Sequence, residues 1–582
     1  MPIIVVAATL ATPMDSHALR ISSVPSFAPA ATAPLAGVLQ VGTDVPSRVS
    51  VSVNDGTNTW KRNFLDYSTV HSIPLLGFKP SLANTITVTV HDKSRNALTA
   101  ANPVVFTTAP LPANFPKLVL LASNPDKMEP GYTLFRGQNN GAAAYIIIVD
   151  SAGEVVWYSS VATVLDVRQL ANGDLFVPLA TSMVEINMLG QTVRTWAAPA
   201  AWPVNIHDGV PTDHGTILYL SDASRIVTNF PTSAIDPLAP AATTNVWFQP
   251  VVEISAANAA LLNTWSPFDM LNPRRITYLT FSIKTAMGWD WGHANAVIED
   301  PRDDSIIVSL RHQNAVIKFA RATGQLKWIL GPHENWGPAF LQYLLRPVGA
   351  PFQWNYAQHA PKITPQGTLL LYDNGDDRAS PFDTRVPDAN NYSRAVEYDI
   401  NEETMEVSQV WEYASTNETL YTKSVGDADW LAGRSNVLVT FGNISYIKGV
   451  PPSAYTTIAA MVRIKEVTHD PIPEVVFDLA LFDYDNTNGT YRGCFAYRSD
   501  RIPDLYSVLP QPVGDLTVTF TNGQSHLEFS GDEAKTYGVE ASTNLVNWER
   551  IGVADPTGSG TFDFQDEQSD ELPARYYRVI TQ

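Results

Sequence analysis

The chain has 582 residues, of which 45% are hydrophobic and 16% are charged, so it is long enough for several domains with large cores. Its net charge of −20 excludes nucleic acid as a partner, because phosphate backbones require a basic surface. The single cysteine, Cys494, excludes an internal disulfide and a cysteine-rich metal site. Any anionic ligand must therefore be held by a local cation within an acidic protein.

Residues 1–18 form a candidate leader. A short apolar run, Ile3–Leu10, is followed by small residues, as in a secretory signal, but no Lys or Arg precedes the run. A disordered leader or a trimmed start is the equal alternative. A signal would make the protein periplasmic or secreted. No later stretch approaches the ~20 apolar residues that a membrane span needs.

Residues 19–111 predict a small β-sandwich of immunoglobulin-like type. Gly37–Thr43, Ser47–Val53 and Thr85–His91 alternate apolar and polar residues, as half-buried strands do, and Asp, Asn, Gly and Pro bound them. The Pro- and Ala-rich segment Thr108–Pro116 predicts a linker to the next domain.

Residues 112–506 contain a repeated hairpin, in which an apolar strand, a polar turn and a second strand end on or near an aromatic. The six copies are Ile147–Tyr158, Val184–Trp196, Val251–Trp265, Val316–Leu330, Ala395–Tyr413 and Met461–Leu479. An opening pair of strands recurs at Leu165–Pro178, His207–Leu220, His293–Leu310, His359–Leu371 and Asp427–Phe441. Strand-only units of this size, repeated six times, predict a six-bladed β-propeller.

Three of the opening strands begin with a histidine at the same position in the repeat: His207, His293 and His359. Because the innermost strands of a propeller line its central channel, these side chains are expected to converge near the axis. For any one of them, a hydrogen-bonded histidine at a strand end is the simpler interpretation. Three at equivalent positions favour a site, and the strand Ser305–Leu310 brings Arg311 to the same mouth.

Residues 514–582 predict a small C-terminal β-sandwich module, which follows the proline-bearing segment Ile502–Val513. No chemistry is assigned to it. Asp483, Asp485, Thr487 and Gly489 resemble the start of a calcium loop, but Cys494 stands where the bidentate Glu is expected, which favours a plain hairpin turn. The segment Asp373–Asp377 is likewise predicted to be a turn, with cation binding as the alternative.

Several segments resemble the bacterial PAPS-independent aryl-sulfate sulfotransferases. They are DWGHANAV, SIIVSLRHQNAVIK, KWILGPHENW, QHAPKITPQGTLLLYDNGDD, YSRAVEYDI and VWEY, and together they run through the whole predicted propeller. The preceding sandwich also matches the architecture of that family, whereas the C-terminal module lies outside the resemblance.

The resemblance implies transfer of a sulfuryl group from an aryl sulfate ester to a phenolic acceptor, by a ping-pong route through a sulfohistidine. It places the nucleophile at His359, donors to the sulfate oxygens at His293 and Asn295, and the fixed cation at Arg311. His207 completes the pocket, and Thr422 is a further substrate contact. The resemblance implies no metal and no other cofactor. The oligomeric state stays open, with a homodimer as one option.

Two other classes of function stay open. The three histidines would suit a divalent metal, as in a propeller lyase or oxygenase. Alternatively, the channel is degenerate and the protein is a non-catalytic secreted binding protein. Single residues also have structural alternatives: Arg311 would pair with Asp304 or Glu334, and Asn295 would cap a turn. His312, Arg394 and Arg498 are predicted to be structural.

Overall fold

The structure is a computed structural model that describes residues 18–94, 96–139, 144–161, 165–415, 419–447, 462–482, 494–506, 513–521, 524–532, 535–543, 548–558, 560–566 and 575–581. Residues 1–17 of the predicted leader, Met461 and the segment 483–489 lie outside these ranges. The described elements are almost all strands, which confirms the all-β prediction. No helix in the described ranges has the length and apolar character needed to cross a bilayer.

The N-terminal domain is one sheet of six antiparallel strands. These are β1 (Ile21–Pro29), β2 (Gly37–Asn54), β3 (Thr59–Leu75), β4 (Ala83–Asp92), β5 (Ala97–Thr99) and β6 (Val104–Thr107). The two strands predicted at Gly37–Thr43 and Ser47–Val53 are therefore one long strand, β2. A register shift between Gly42 and Ser47 lets β2 pair first with β1 and then with β4, so the sheet bends. Phe27 of β1 and Phe106 of β6 meet at 4.4 Å between ring centroids, which closes the sheet around its core.

The propeller forms a compact unit of its own, Pro112–Tyr506. Its first strands are β7 (Lys117–Ser123), β8 (Tyr132–Asn139), β9 (Ala144–Val149) and β10 (Val155–Val161). The second blade contains β11 (Arg168–Gln169), β12 (Leu175–Leu179), β13 (Ser182–Ile186) and β14 (Thr192–Ala197). The third contains β15 (Val204–Pro211), β16 (Thr216–Ser221), β19 (Val251–Ser255) and β20 (Leu261–Trp265), and is interrupted by β17 (Ala223–Phe230) and β18 (Ala242–Phe248).

A short helix, α1 (Pro267–Met270), follows the third blade. Two further strands, β21 (Lys284–Thr285) and β22 (Gly288–Asp290), extend the inserted sheet, in which β22 pairs with β18 and β21 pairs with β22. The fourth blade contains β23 (Ala294–Asp300), β24 (Ser305–Leu310), β25 (Ala315–Ala320) and β26 (Leu326–Leu330). The fifth contains β27 (Arg346–Pro347), β28 (His359–Ile363), β29 (Leu369–Asp373), β30 (Arg394–Asn401) and β31 (Glu406–Tyr413).

The sixth blade contains β33 (Asp427–Leu431), β34 (Asn436–Phe441), β36 (Val462–Thr468) and β37 (Val475–Phe482), and β32 (Leu420–Tyr421) pairs with β35 (Tyr446–Ile447) beside it. The last two strands are β38 (Cys494–Phe495) and β39 (Ser499–Ile502). Single 3₁₀ turns occupy Leu279–Phe281, Arg311–Gln313, Pro338–Tyr343 and Asp388–Asn390.

The ring is closed by strands from both ends of the unit. β39 pairs with β8 and so supplies the innermost strand of the first blade, whereas β7 pairs with β37 at the outer edge of the sixth. The first blade has no opening strand of its own in sequence order, which is why only five copies of that strand were found by repeat analysis. With β39 the blade count is six, as predicted.

A tryptophan on the outermost strand of five blades is hydrogen-bonded to the hairpin turn of the next blade. The indole donors and their acceptors are Trp157 to Met188 O, Trp196 to Ala256 O, Trp265 to Arg321 O, Trp328 to Glu402 Oε1 and Trp411 to Asp470 O, at 2.7–3.1 Å. In these five blades the tryptophan at the end of the repeated hairpin therefore joins neighbouring blades, because it presents both an apolar body and one donor.

The C-terminal module is a sandwich of two sheets. Its strands are β40 (Gly514–Thr521), β41 (Gln524–Ser530), β42 (Tyr537–Ser542), β43 (Glu549–Val553), β44 (Asp555–Gly558), β45 (Thr561–Asp566) and β46 (Tyr576–Thr581). It forms one compact unit with the N-terminal domain. Asn63 donates to the carbonyl of Gly531 at 3.2 Å, and Arg62 pairs with Asp532 at 3.7 Å. The sequence did not predict this association.

Candidate active site

The three predicted histidines converge at one end of the inner strands. The rings of His207 and His293 are 4.9 Å apart between centroids. The ring of Tyr497 lies 5.9 Å from His207 and 6.1 Å from His359, so it connects the third histidine to the first two. All are side chains of the inner strands or of residues just before them, as the alignment of the blades predicted.

The backbone at these positions is strained. His293 has φ 45°, and Ala357 and Ala360, on either side of His359, have φ 54° and 49°. A non-glycine residue in the left-handed region costs about 1–3 kcal/mol, which the surrounding structure must offset. Strain of this kind is concentrated at functional sites, and here it occurs at His293 and on both sides of His359.

His359 is buried and its tautomer is fixed by Asn374. The Asn374 amide nitrogen donates to the carbonyls of Val425 at 2.8 Å and Thr422 at 3.0 Å, which turns its oxygen toward His359. That oxygen lies 2.6 Å from His359 Nδ1, so the hydrogen-bond pattern assigns the proton to Nδ1. Nε2 is then the nitrogen with the free lone pair, and it receives only a 3.3 Å contact from the Val425 N–H.

The surroundings keep this imidazole neutral. Burial lowers the pKa of His359 well below its ordinary value, and the charge of Arg311 lowers it further, against a raising effect of the hydrogen bond to Asn374. A neutral imidazole with an unprotonated Nε2 is a competent nucleophile. His359 is therefore in its reactive form across the physiological pH range.

Arg311 is held by its terminal nitrogens. Nη1 donates to His312 Nε2 at 2.8 Å, and Nη2 donates to the Lys423 carbonyl at 2.8 Å and lies 3.4 Å from an oxygen of Asp376. It does not pair with Asp304 or Glu334, the alternatives considered from sequence. Its Nε is buried and has no hydrogen-bond partner among the described residues. A buried cation with an unused donor is suited to an anion.

His293 is paired with a buried carboxylate that sequence reasoning missed. Asp290 Oδ2 lies 2.5 Å from His293 Nδ1, and Asp290 Oδ1 accepts the His293 backbone N–H at 3.0 Å. Although burial raises the pKa of Asp290, His293 holds it well below its usual range. The carboxylate can therefore stabilise a protonated His293. The sequence does contain a clue to this pair, because Asp290 lies three residues before His293 in the motif DWGH.

His312, predicted to lie outside the site, stacks on His293 with ring centroids 4.5 Å apart. Its Nδ1 lies 2.7 Å from the Asp290 carbonyl and its Nε2 accepts from Arg311, so both ring nitrogens are used. His312 is thus a positioning residue for Arg311 and His293. Sequence spacing gave no indication of this, because the 3₁₀ turn at Arg311–Gln313 was not predicted.

His207 is held by the side chain of Asn205. Its Nδ1 contacts Asn205 Oδ1 at 2.5 Å, and burial, followed by the proximity of His293, lowers the pKa of His207 to about 3. It is therefore neutral in the resting site.

The two predicted substrate contacts are Asn295 and Thr422. Both are fully buried, and their side chains are hydrogen-bonded to neighbouring residues of the protein. The Asn295 amide nitrogen donates to the Gln358 carbonyl at 2.8 Å, beside the nucleophile, while its Oδ1 has no partner in the described part of the chain. Thr422 Oγ1 lies 2.7 Å from the Tyr372 hydroxyl, and the Thr422 carbonyl accepts from Asn374. Both side chains position the site, and their contact with substrate stays a prediction.

Tyr497 and Arg498 complete the pocket from the C-terminal strand. The Tyr497 hydroxyl donates to the Asn295 carbonyl at 3.0 Å, and Arg498 Nη2 donates to the same oxygen at 2.8 Å. Arg498 also pairs with Asp208 and Asp166 at 3.0 and 3.3 Å. Arg498 is therefore structural, as predicted. Tyr497 was missed because its strand is the displaced opening strand of the first blade.

The three histidines, considered from sequence as an alternative metal site, do not appear together among the described groups that could hold a metal ion. The side-chain groups in the described ranges whose ligand atoms lie within 4.8 Å of one another are Asp290–His293–His312, His214–Glu299–Asp304 and Asp427–Asp429–Asp500. In the first group both nitrogens of His312 are already used, one of them by a cation. This arrangement favours binding an anion over binding a metal at the histidines.

The low pKa values of the buried histidines predict that the free energy of unfolding falls as the medium is acidified. His207, His312 and His359 are neutral when folded but take up protons near pH 6.5 when unfolded, so the unfolded chain binds more protons below that pH. Each such histidine is expected to lower the free energy of unfolding by about 1.4 kcal/mol per pH unit below 6.5. Urea unfolding between pH 7 and pH 5 measures this slope.

The variant His207→Asn keeps a donor toward Asn205 and should give a shallower slope than the wild type. Equal slopes for the wild type and His207→Asn would contradict the assignment of a neutral His207.

Two protein-family models match the chain. A family model described as Arylsulfotransferase (ASST) matches residues 118–492, and one described as Arylsulfotransferase Ig-like domain matches residues 26–108. The chain belongs to the arylsulfotransferase family. The two matches divide between the propeller and the N-terminal domain, whereas the C-terminal module lies outside both.

Two curated relatives carry the name arylsulfate sulfotransferase AssT. The protein of Escherichia coli O6:H1 strain CFT073 is 28% identical over 320 residues, and that of Lelliottia amnigena is 25% identical over 335 residues. Each alignment covers 47% of this chain and 53% of the relative, so the chain spans about half the length of the curated relatives it matches.

The solved structures to which the chain was found similar include those of two bacterial proteins. A putative 6-phosphogluconolactonase of Bacteroides fragilis is 9% identical with a TM-score of 0.28, over 78% of this chain and 98% of that chain. The periplasmic gluconolactonase of Pseudomonas aeruginosa is 11% identical with a TM-score of 0.26, over 75% of this chain and 97% of that chain.

Proposed function

We propose that this arylsulfotransferase transfers a sulfuryl group from an aryl sulfate ester to a phenolic acceptor through a sulfohistidine at His359. Membership of the family supports the class of reaction. The observation that carries the mechanism is the state of His359, a buried neutral imidazole with Nδ1–H bound to Asn374 and Nε2 unprotonated. The proposal needs no metal and no nucleotide cofactor.

In the first half-reaction, His359 Nε2 attacks the sulfur of the donor. The N–S bond forms as the bond between sulfur and the aryl oxygen breaks, and the phenolate leaves. The leaving oxygen takes a proton from His293, whose Nδ1 contacts Asp290, or from solvent reaching His207. Because Nδ1 of His359 already carries its proton, the sulfated ring is a cation that Asn374 stabilises by accepting that N–H.

In the second half-reaction, an acceptor phenol gives its proton back to the histidine pair while its oxygen attacks sulfur. The N–S bond breaks, and His359 returns to its neutral tautomer. The charge spread over the three sulfuryl oxygens needs fixed donors, as in phosphoryl transfer. Arg311 offers its unused Nε for this purpose, inside a protein whose net charge of −20 would otherwise repel an anion.

Intact-mass measurement after brief exposure to an aryl sulfate donor tests the proposal. Without acceptor, the protein should gain the mass of one SO₃ group on His359, and addition of phenol should remove it. Turnover of a chromogenic aryl sulfate with phenol present distinguishes the enzyme from a non-catalytic binding protein. Tight binding of the donor with neither adduct nor turnover would contradict the proposal.

Asn374 is predicted to position the nucleophile. The variant Asn374→Leu removes the acceptor that selects the Nδ1–H tautomer, so we expect the rate of adduct formation to fall by about 10²-fold. Asn374→Asp keeps an acceptor but adds a negative charge, which raises the pKa of His359. As the medium is acidified, His359 of this variant becomes protonated earlier. The rate of adduct formation should therefore begin to fall at a higher pH in the variant than in the wild type.

The pH–rate profile of adduct formation measures this shift, which a purely structural role would not produce. Asn401→Asp makes the same chemical change in a surface turn and should leave the profile unchanged. If the acid limbs of Asn374→Asp and the wild type coincide, Asn374 does not set the protonation state of His359.

The proposed location is the periplasm or the exterior of the cell, from the signal-like run Ile3–Leu10. Fractionation of cells that express the full chain tests it. Cleavage near residue 18 and recovery outside the cytoplasm are the expected results, and an intact N-terminus in the cytoplasmic fraction would contradict the proposal.

A further inference from the structure

A second cluster of titratable groups lies on inner strands, a few residues further along the chain than residues of the pocket. Asp427 and Asp429 are on β33 and Asp500 is on β39, which are the inner strands of the sixth and first blades. One ligand oxygen from each of these three side chains lies within 4.8 Å of the other two. Each follows by two to four positions a residue of the pocket, Val425 or Tyr497. The cluster plays no part in the proposed sulfuryl transfer.

Two of these carboxylates carry buried oxygens without a partner. Asp427 is fully buried and Asp429 is 6% exposed, and Oδ2 of each has no hydrogen-bond donor among the residues that the structure describes. A buried carboxylate oxygen without a donor is costly, because it has lost water and gained nothing in exchange.

The local charges do not balance. Lys362, on the inner strand β28, is the cation that reaches all three carboxylates: its Nζ lies 3.6 Å from Asp427 and 3.9 Å from Asp500 and contacts Asp429. Three carboxylates facing one ammonium leave two negative charges.

The neighbouring arginines do not make up the difference, because each is already neutralised. Arg498 and Arg168 both pair with Asp208 and Asp166, at 2.5–3.3 Å. Two cations and two carboxylates there leave no net charge. The excess of two negative charges is therefore confined to the cluster of Asp427, Asp429 and Asp500.

We propose that Asp427, Asp429 and Asp500 bind one divalent cation, Ca²⁺. The donors are carboxylate oxygens alone, and hard oxygen donors select Ca²⁺ over metals that prefer nitrogen or sulfur. A divalent ion removes the excess of two negative charges and supplies the unpartnered oxygens with a ligand. Lys362, whose side chain is 26% exposed, withdraws toward the open channel when the ion binds.

The site would join the inner strands of two blades. β33 and β39 belong to the sixth and the first blade, where the ring closes, so a bound ion would stabilise that closure. It differs from the loop considered at Asp483, which lies outside the described residues. It is also independent of the sulfotransferase chemistry, so either proposal can fail without the other.

Calorimetric titration of the metal-free protein with CaCl₂ tests the inference. We expect one saturable site per chain and a melting temperature that rises by about 5 °C with excess Ca²⁺, because an ion that binds only the folded state stabilises it. Asp429→Asn should abolish both effects. Asp304→Asn removes a carboxylate from the exposed group of His214, Glu299 and Asp304, and as the matched control it should retain them.

Lys362→Met provides an independent test if the aspartate variant fails to fold. Removing the competing ammonium should tighten Ca²⁺ binding by about tenfold or more, since one positive charge no longer repels the ion. Absence of binding heat and of a thermal shift in the wild type would overturn the inference. So would binding that Asp429→Asn leaves intact, or weaker binding by Lys362→Met.

Discussion

Replacing His359 by alanine is expected to abolish both adduct formation and turnover. The variant lacks the proposed nucleophile, the buried imidazole whose Nδ1 is bound to the Asn374 amide, so the covalent intermediate cannot form there. Loss of a nucleophile typically costs about 10⁴-fold or more in rate. Stopped-assay turnover of an aryl sulfate, together with intact mass, measures both effects in one preparation.

The control is His333→Ala, because His333 lies in a loop where its Nε2 meets the Leu345 carbonyl at 2.9 Å. It should keep wild-type turnover and form the adduct. If His359→Ala still gains the mass of SO₃, the covalent step proceeds through another residue and the assignment of the nucleophile is wrong.

Replacing Arg311 by lysine is expected to lower kcat/KM for the donor by about 10²–10³-fold, the usual cost of losing one fixed donor to a developing charge. Lysine keeps the positive charge, but it cannot bind His312, the Lys423 carbonyl and the sulfuryl oxygens at once, because it lacks a planar fork. The rate of adduct formation should fall in parallel, since the effect belongs to the first half-reaction.

Arg302→Lys is the matched control, because Arg302 pairs with Asp300 and the Gly367 carbonyl at 2.6–2.8 Å away from the pocket. It should leave kcat/KM unchanged. An Arg311→Lys variant with wild-type kcat/KM would show that a diffuse positive charge suffices and that the geometry of the guanidinium does not contribute.

Repeat analysis predicted the blades and the three histidines because equivalent strands repeat the same spacing. Tyr497 escaped it because the inner strand of the first blade comes from the other end of the domain, where no neighbouring hairpin aligns with it. The bend of β2 escaped for a different reason. Asp44 and Pro46 resemble a turn, yet the register shift there keeps a single strand.

The positioning residues were harder to predict than the groups expected to meet substrate. Asn374 lies in a segment that was predicted to be a turn, and its role depends on carbonyls of Thr422 and Val425 that are distant in sequence. Asp290 and His312 act through contacts set by a strand insertion and a 3₁₀ turn. Such contacts depend on tertiary packing, which leaves no periodic trace in a sequence.

The closure of the ring by β39 has a consequence for biosynthesis. A ribosome that has released residues up to about 480 has already produced every histidine of the pocket, but not Tyr497 or Arg498. At that stage the ring of the nascent chain cannot close, because the first blade still lacks its innermost strand, β39. Any product truncated before Ser499 should consequently be inactive, however well its individual blades fold.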